Sequence, residues 1–169
     1  MPTSSDKQKR FLFVDDDAGF LTGIEKLFRE FSGGSWEVFT AQNHARALAF
    51  LRDQRVDVVV LDIGMPVMDG LEFLRLLRRT HPGLQVVMLT GLATEQGRKA
   101  SLEAGAVLFL EKPATAPGYR EIFAALDALA DASPQEGFRG IMRRVGLQDV
   151  LQMECLGRKS SVLEVFTGK

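Results

Sequence analysis

The chain has 169 residues, 46% of them hydrophobic and 25% charged, which is the ordinary composition of a soluble globular protein. Its formal net charge of −1 provides no general attraction to nucleic acid or to an anionic membrane. Because the one cysteine, Cys155, has no partner for an internal disulfide and no apolar run approaches the roughly 20 residues of a membrane span, we expect a cytoplasmic protein with no membrane partner.

Short apolar runs alternate with segments of helical periodicity from residue 10 to about residue 132. The apolar runs predict strands at residues 11–14, 36–41, 56–61, 85–90 and 106–110. A short helix is expected over residues 94–103, and apolar side chains at helical spacing mark four more helices: Leu21, Ile24, Phe28 and Phe31; Ala45, Leu48 and Leu51; Leu71, Leu74 and Leu77; Ile122, Phe123, Leu126 and Leu129. Five βα units predict an α/β fold, a doubly wound five-stranded parallel sheet with helices on both faces.

The alternation ends at residues 133–137, Ser-Pro-Gln-Glu-Gly, which are interpreted as a linker after a domain at residues 9–132. Residues 138–169 have too few apolar positions for a core of their own, since domains below roughly 40 residues usually need disulfides or metals. We therefore expect this last segment to be incomplete, docked on the domain, or shared with another chain in a homodimer.

Polar side chains stand at the ends of four predicted strands. Asp15 and Asp16 follow the first strand, Asp62 follows the third, Thr90 ends the fourth and Lys112 comes after the fifth. In a doubly wound sheet, ligands bind at the carboxyl ends of the strands. These side chains are therefore expected to converge on one site.

Each of these residues also has an ordinary structural interpretation. The run Asp15-Asp16-Asp17 could cap a helix, Asp62 could lie in a turn, and Lys112 could be a surface lysine. Asp17 in particular is expected to cap the first helix. The joint occurrence of these residues, in order, at four strand ends favours a functional site over coincidence.

Three carboxylates in one pocket require positive charge nearby. Two of them about 4 Å apart repel by roughly 4 kcal/mol at an effective dielectric constant near 20. Lys112 supplies one charge, and a hard divalent cation with oxygen ligands would supply the rest, with Mg²⁺ the best candidate. A carboxylate beside Mg²⁺ and a lysine can attack a phosphoryl group, and the Thr90 hydroxyl can donate to one phosphoryl oxygen.

Four strings, FLFVDDD, VVVLDIGMPVMDGLEFL, VVMLTG and FLEKP, resemble the receiver domains of bacterial response regulators, over about residues 9–132 and in the family's order. The resemblance implies a flavodoxin-like fold with strand order 2-1-3-4-5. It also implies a phosphorylated switch in two-component signalling rather than an enzyme that acts on other substrates. A histidine kinase or a phosphotransfer protein would donate the phosphoryl group, and an unknown downstream protein would recognise the altered surface.

The resemblance assigns the acceptor and the metal ligands residue by residue. Asp62 would accept the phosphoryl group and also contact Mg²⁺. Asp16 would bind the metal directly, Asp15 would hold it through water, and the backbone carbonyl of Gly64 would complete the protein ligands.

Four further residues match positions at which the family contacts the phosphoryl group or switches. Thr90 and Lys112 would contact the phosphoryl group. Phe109 would be the switch aromatic that turns inward when Thr90 moves, although the sequence alone equally allows an ordinary core aromatic. Pro113 would follow a cis peptide bond that orients Lys112.

Two positions depart from common family patterns. Gly64 lies two residues after Asp62, and Leu92 lies two residues after Thr90. In the family, these side chains influence how a hydrolytic water is placed on the acyl phosphate. Because neither can hydrogen-bond through its side chain, rapid self-dephosphorylation is not expected.

Residues 138–169 resemble the start of the PATAN domain, which is often found beside receivers and whose usual interpretation is an interaction role. Ser161 stands where glycine is usual in that domain. The matching positions are Phe138, Gly140, Leu147, Asp149, Leu151, Gln152, Arg158, Lys159, Leu163 and Val165.

Other functions fit the sequence less well. A receiver used only as a scaffold would not need Asp16, Asp62, Thr90 and Lys112 all intact. A phosphatase of the haloacid-dehalogenase type needs a second aspartate where this chain has Gly64. No Gly-rich nucleotide-binding motif occurs, and no helix-turn-helix fits in the tail, so nucleic acid is not expected as a partner of this chain. The two histidines, His44 and His81, lack ligand-like spacing and are expected on the surface.

Overall fold

The computed structural model describes residues 7–132, which form a single five-stranded sheet with five helices. The strands are β1 Lys9–Val14, β2 Trp36–Ala41, β3 Val58–Leu61, β4 Gln85–Thr90 and β5 Leu108–Glu111. The helices are α1 Ala18–Ser32, α2 His44–Asp53, α3 Gly70–Thr80, α4 Glu95–Glu103 and α5 Ala116–Asp131. All strand pairs are parallel, and the strand order is β2-β1-β3-β4-β5, which confirms the predicted fold.

The core consists of two apolar layers, one on each face of the sheet. Successive side chains of a strand point to opposite faces, so Phe11 and Phe13 of β1 pack with α1 and α5, whereas Leu12 and Val14 pack with α2 and α3. All six residues of β4 are buried. A strand covered on both faces is the reason for its nearly continuous apolar sequence.

Helix starts carry the capping residues that the sequence contains at those places. Asp17 accepts a hydrogen bond from the backbone N–H of Phe20, and Asp69 accepts one from Glu72, each at the first turn of its helix. Helix α1 ends at Gly33, whose φ of 57° lies in the left-handed region that glycine adopts without strain. The predicted cap at Asp17 is confirmed.

An aromatic stack and an ion-pair network attach α5 to the amino-terminal edge of the sheet. The Trp36 ring stacks on Phe123 with ring centroids 4.3 Å apart. The Trp36 Nε1–H donates to Asp127 Oδ1 at 2.8 Å, and Lys9 Nζ lies 2.7 Å from the same oxygen and 2.9 Å from Asp131 Oδ2. The final turns of α5 are therefore fixed to the first residues of β1 and β2.

Some predicted boundaries differ from the structure. Strand β3 begins at Val58 rather than residue 56, and β5 spans Leu108–Glu111 rather than residues 106–110. Val56 and Ala106 are nevertheless buried, because they pack against the core from the loops that precede their strands. Apolar content indicates burial, and it does not by itself mark where strand pairing begins.

The expectation that His44 lies on the surface was wrong. Helix α2 begins at His44 with Asn43 as its cap, so its buried stripe is His44, Ala47 and Leu51 rather than the predicted set that starts at residue 45. The imidazole packs on the Phe73 ring of α3, with ring centroids 4.6 Å apart. The buried stripe thus lies one residue earlier than the predicted one at its first two positions, which places the histidine in the interface between α2 and α3.

The predicted linker at residues 133–137 and the PATAN-like segment at residues 138–169 lie outside the described residues. Within residues 7–132, no helix combines the length and the apolar character needed to cross a membrane.

Candidate functional site

The carboxyl edge of the sheet brings together the acidic residues and the lysine that the sequence places at strand ends. Asp15 is 3% exposed and Asp62 is 9% exposed, whereas Asp16 is exposed. One carboxylate oxygen from each of the three lies within 4.8 Å of the others. Lys112, from the end of β5, reaches this group with its ammonium. The predicted convergence of these four residues is therefore what the structure contains.

Lys112 lies between two carboxylates and is closer to one of them. Its Nζ is 2.5 Å from Asp15 Oδ2 and 4.0 Å from Asp62 Oδ2. The other oxygen of Asp15, Oδ1, accepts a hydrogen bond from the backbone N–H of Asp17 at 2.9 Å. Both oxygens of Asp15 thus have protein partners, which suits a residue that holds a metal through water better than one that ligates it directly.

Asp62 carries a carboxyl group whose charge is disfavoured by its surroundings. Burial raises the pKa of Asp62, and the negative charge of Asp15 raises it further. The Lys112 ammonium and a hydrogen bond from the backbone of Gly64 act in the opposite direction and offset part of that rise in the pKa. A positive charge placed beside Asp62 would therefore be bound with favourable energy.

The three carboxylates fit a magnesium ion. Mg²⁺ prefers oxygen ligands at 2.0–2.1 Å, so two inner ligands lie at most about 4.2 Å apart. The 4.8 Å spread of the three carboxylate oxygens needs only a small closure, or one water bridge, to match that geometry. Among residues 7–132, Asp15, Asp16 and Asp62 form the acidic cluster suited to a metal.

Thr90 is buried at the end of β4, next to β3, with its hydroxyl bonded to its own loop. The Oγ1 accepts from the Leu92 N–H at 3.3 Å and lies 3.4 Å from the Leu92 carbonyl oxygen. Both bonds are long, so the hydroxyl can exchange them for a shorter bond to a charged group. The Leu92 side chain is 79% exposed and has no polar atom that could hydrogen-bond at the site.

The loop after Asp62 depends on a glycine that sequence analysis did not single out. A Cβ atom on Gly70 would lie 2.4 Å from the carbonyl oxygen of Asp62 and 2.7 Å from the Ile63 Cα. The Gly70 N–H donates to the Ile63 carbonyl at 2.9 Å. Helix α3 can therefore begin directly against the backbone of Asp62, and the Asp-Gly pair at residues 69–70 was the available signal.

The two predicted switch residues lie at β5 and just beyond it. Phe109 is half-buried, and its ring faces α4, where the Arg98 guanidinium carbon lies 5.9 Å from the ring centroid. The expected cis peptide before Pro113 was wrong, since residues 7–132 contain no cis peptide bond. Trans is the ordinary state of an X–Pro bond, and the ion pair with Asp15 already directs Lys112 into the site.

Fold and site together define a small parallel α/β domain with an acidic, lysine-bearing pocket at the carboxyl edge of its sheet. A family model described as the response regulator receiver domain matches residues 11–124. The chain therefore belongs to the response regulator receiver family and is a component of two-component signalling.

Similar proteins agree with this assignment. The response regulator MprA from Mycobacterium sp. (strain KMS) is 40% identical over 129 residues, which cover 76% of this chain and 54% of MprA. A CheY-like receiver domain from Methanospirillum hungatei JF-1 has a TM-score of 0.67 and 31% identity, over 78% of this chain and 100% of that chain. TrrA from Thermotoga maritima, solved in complex with Mg²⁺-BeF, has a TM-score of 0.63 and 26% identity, over 72% of this chain and 99% of that chain. The chain spans about half the length of MprA.

Proposed function

We propose that Asp62 accepts a phosphoryl group from a phosphohistidine of a histidine kinase or phosphotransfer protein. The observation that carries this proposal is the position of the Lys112 ammonium, 2.5 Å from Asp15 and 4.0 Å from Asp62 in a pocket of three carboxylates. A structural salt bridge requires one carboxylate, whereas phosphoryl transfer requires a nucleophile, a metal site and a cationic group that offsets the charge of the phosphoryl oxygens.

The transfer is a displacement at phosphorus. A carboxylate oxygen of Asp62 forms the new P–O bond while the P–N bond to the donor histidine breaks, and the imidazole leaves with the bonding electron pair. Lys112 moves from Asp15 toward the phosphoryl oxygens, and the Thr90 hydroxyl turns from its loop to donate to one of them. Both groups offset the charge that spreads over those oxygens.

Mg²⁺ would be held by Asp16, by Asp62, by the Gly64 carbonyl, and by Asp15 through water. When bound, it neutralises the acidic pocket and the phosphoryl oxygens. The raised pKa of Asp62, caused first by burial and then by Asp15, supports this requirement for added positive charge. The complex of TrrA with Mg²⁺-BeF supports the same requirement by similarity.

Incubation with acetyl phosphate and Mg²⁺, followed by intact-mass measurement, tests the proposal. The wild type should gain one phosphoryl group, and Asp62→Asn should gain none while keeping its fold, since the amide has nearly the same shape and is not nucleophilic. Asp57→Asn is the matched control, because the Asp57 carboxylate lies at the opposite edge of the sheet, where it accepts a hydrogen bond from the Arg10 N–H at 2.8 Å. Uptake of phosphate by Asp62→Asn at the wild-type rate would overturn the assignment.

We also propose the partners and the output of the whole protein. A kinase or phosphotransfer protein would act as donor, in the cytoplasm, and a downstream protein would bind the phosphorylated surface. The domain itself would catalyse only its own phosphorylation and dephosphorylation. Phe109 supports a route for the signal, since its ring contacts α4 and its strand ends beside Lys112.

A further inference from the structure

The Phe20 ring contacts Lys112 of the pocket and has no part in the metal site. The Nζ of Lys112 lies 4.3 Å from the centroid of the Phe20 ring, over its face. Phe20 is the third residue of α1, is half-buried, and packs against the core layer between the sheet and helices α1 and α5. The ring is therefore held from below by the core while its upper face meets the ammonium.

Four contacts link Asp15, Asp17, Phe20 and Lys112 in a ring that returns to Asp15. Asp15 Oδ1 accepts from the Asp17 N–H at 2.9 Å, and Asp17 Oδ1 accepts from the Phe20 N–H at 3.0 Å. The Phe20 ring meets Lys112, whose ammonium returns to Asp15 Oδ2 at 2.5 Å. The carboxylate that binds the lysine thus also fixes, through the helix cap, the ring on which the lysine rests.

The Phe20 ring stabilises the Lys112 ammonium at positions where the carboxylates alone do not. The Lys112 side chain is only 20% exposed, so its ammonium has lost much of its hydration. The ion pairs with Asp15 at 2.5 Å and Asp62 at 4.0 Å compensate for this loss only where the ammonium lies beside a carboxylate. The face of an aromatic ring attracts a cation over a broad area and without a directional bond. An ammonium that rests on Phe20 can therefore turn from Asp15 toward Asp62, 4.0 Å away, and remain stabilised throughout.

We propose that Phe20 is a positioning residue for Lys112, whose ring face keeps the ammonium within reach of a phosphoryl group on Asp62. This inference rests on the proposed function in one respect, namely the role of Asp62 as acceptor. The contact between Phe20 and Lys112 can be tested without it.

The contact itself is measured by nuclear magnetic resonance on the full chain without added ligand. Because Lys112 Nζ lies over the Phe20 ring, the signals of the protons on the neighbouring Cε should be shifted upfield by the ring current. Phe20→Leu, which keeps an apolar side chain and removes the ring, should return them toward the values of an ordinary lysine. Phe20→Tyr should retain the shift. Unshifted Lys112 signals in the wild type would overturn the proposal, whether or not the variants fold.

The consequence for the site is measured with Mg²⁺ and beryllofluoride, a phosphoryl analogue, through the fluorine signal of the bound probe. Phe20→Leu should weaken beryllofluoride binding about threefold to fivefold, the loss expected for one cation–π contact, and Phe20→Tyr should bind within about twofold of wild type. Phe31→Leu is the matched control. It removes an α1 ring that faces another cation, Arg120 at 4.5 Å, away from the pocket, and should leave binding unchanged.

A second titration, with Mg²⁺ alone, separates positioning of the lysine from support of the metal ligands. If Phe20→Leu weakens Mg²⁺ binding as much as beryllofluoride binding, the ring acts through Asp15 and the proposal is wrong. If wild type and Phe20→Leu bind beryllofluoride equally, the proposal is also wrong. If the wild type binds no beryllofluoride at all, the proposed function of Asp62 fails, and the ring-current shift alone then decides whether Phe20 holds the lysine.

Discussion

At the scale of single residues, the pocket contains carboxylates whose ionised form is disfavoured by burial and by mutual repulsion. Asp62 and Asp15 are both nearly buried, and Lys112 is paired mainly with Asp15. Charge at Asp62 therefore lowers the stability of the folded protein when no metal is present. The same property makes the pocket receptive to a cation and to a phosphoryl group that arrives with one.

Removal of the Asp62 charge should stabilise the protein. Burial and the neighbouring Asp15 raise the pKa of Asp62 in the folded state, so its ionisation opposes folding and the penalty is present at pH values above that raised pKa. Asp62→Asn should increase the free energy of unfolding at neutral pH by about 1 kcal/mol, as measured by urea denaturation without Mg²⁺. The gain should disappear as pH falls and Asp62 of the wild type becomes protonated. Asp16→Asn, at the exposed carboxylate, should give a smaller gain.

Gly70 should be intolerant of any side chain. A Cβ atom added to Gly70 would lie 2.4 Å from the Asp62 carbonyl oxygen, so Gly70→Ala must displace the start of α3 or the loop of Asp62. We expect a loss of stability of about 2–4 kcal/mol and phosphorylation much slower than in wild type. Gly83→Ala is the control, since nothing lies within 4 Å of the position of its Cβ. Wild-type stability and wild-type phosphorylation in Gly70→Ala would contradict this account.

The lifetime of the acyl phosphate should depend on the side chain at position 92. Leu92 is exposed and cannot hydrogen-bond a water, and Gly64 has no side chain. Phosphate release from the wild type should therefore be slow, and Leu92→Asn should accelerate it about fivefold, the effect of one hydrogen bond worth about 1 kcal/mol. Val67→Asn provides a control, because Val67 is also exposed but lies in the loop between β3 and α3. Release followed after removal of acetyl phosphate tests this, and wild-type release within seconds would contradict it.

At the scale of secondary-structure elements, the interface between α2 and α3 contains a titratable group. Burial lowers the pKa of His44, and the charge of Asp69 offsets part of that effect. Its Nε2 is buried without a hydrogen-bond partner, while the ring packs on Phe73. A neutral imidazole suits this interface, and a charged one does not.

The packing of α2 on α3 should therefore weaken in mild acid. Because the pKa of His44 is lower in the folded state than the ordinary value of 6.5, the unfolded chain binds the proton more readily. Stability should fall as pH drops below about 6.5, by at most about 1.4 kcal/mol per pH unit from this residue. His44→Leu should flatten this part of the profile in denaturant titrations. A flattened profile in His81→Gln, with no change in His44→Leu, would show that His81 causes the effect and would contradict this prediction.

Sequence reasoning located most elements and most of the site, for a physical reason. Strand-end residues such as Asp62 and Thr90 carry their position in the order of the chain, so the topology alone brings them together. The features that the sequence did not predict depend on exact placement. They are the start of α2 at His44, which buries that side chain, and the close approach of α3 to the Asp62 backbone, which requires Gly70. The contact between Phe20 and Lys112 joins residues far apart in sequence, and each has an ordinary local explanation.

At the scale of the whole molecule, residues 9–132 should behave as an independent domain. The described core is complete within residues 7–132, and α5 is fixed to the sheet by Lys9 and Trp36. A chain cut after Ala132 should keep its melting temperature within about 3 °C, take up phosphate from acetyl phosphate, and be monomeric by light scattering. Any dimer of the full chain should then require residues 138–169, which contain apolar side chains such as Ile141 and Leu151. A shortened chain that dimerises like the full one would contradict that assignment.

The contacts of α5 place the end of the described chain and the Asp62 pocket at opposite edges of one sheet. Asp127 and Asp131 bind Lys9 at the amino-terminal edge, and Gln85, the first residue of β4, donates to the Leu129 carbonyl at 3.0 Å. Ala132, the last residue that the structure describes, therefore lies about a strand's length, roughly 20 Å, from the Asp62 carboxylate. We therefore expect a chemical change at Asp62 to reach the end of α5 through shifts of intact helices and strands.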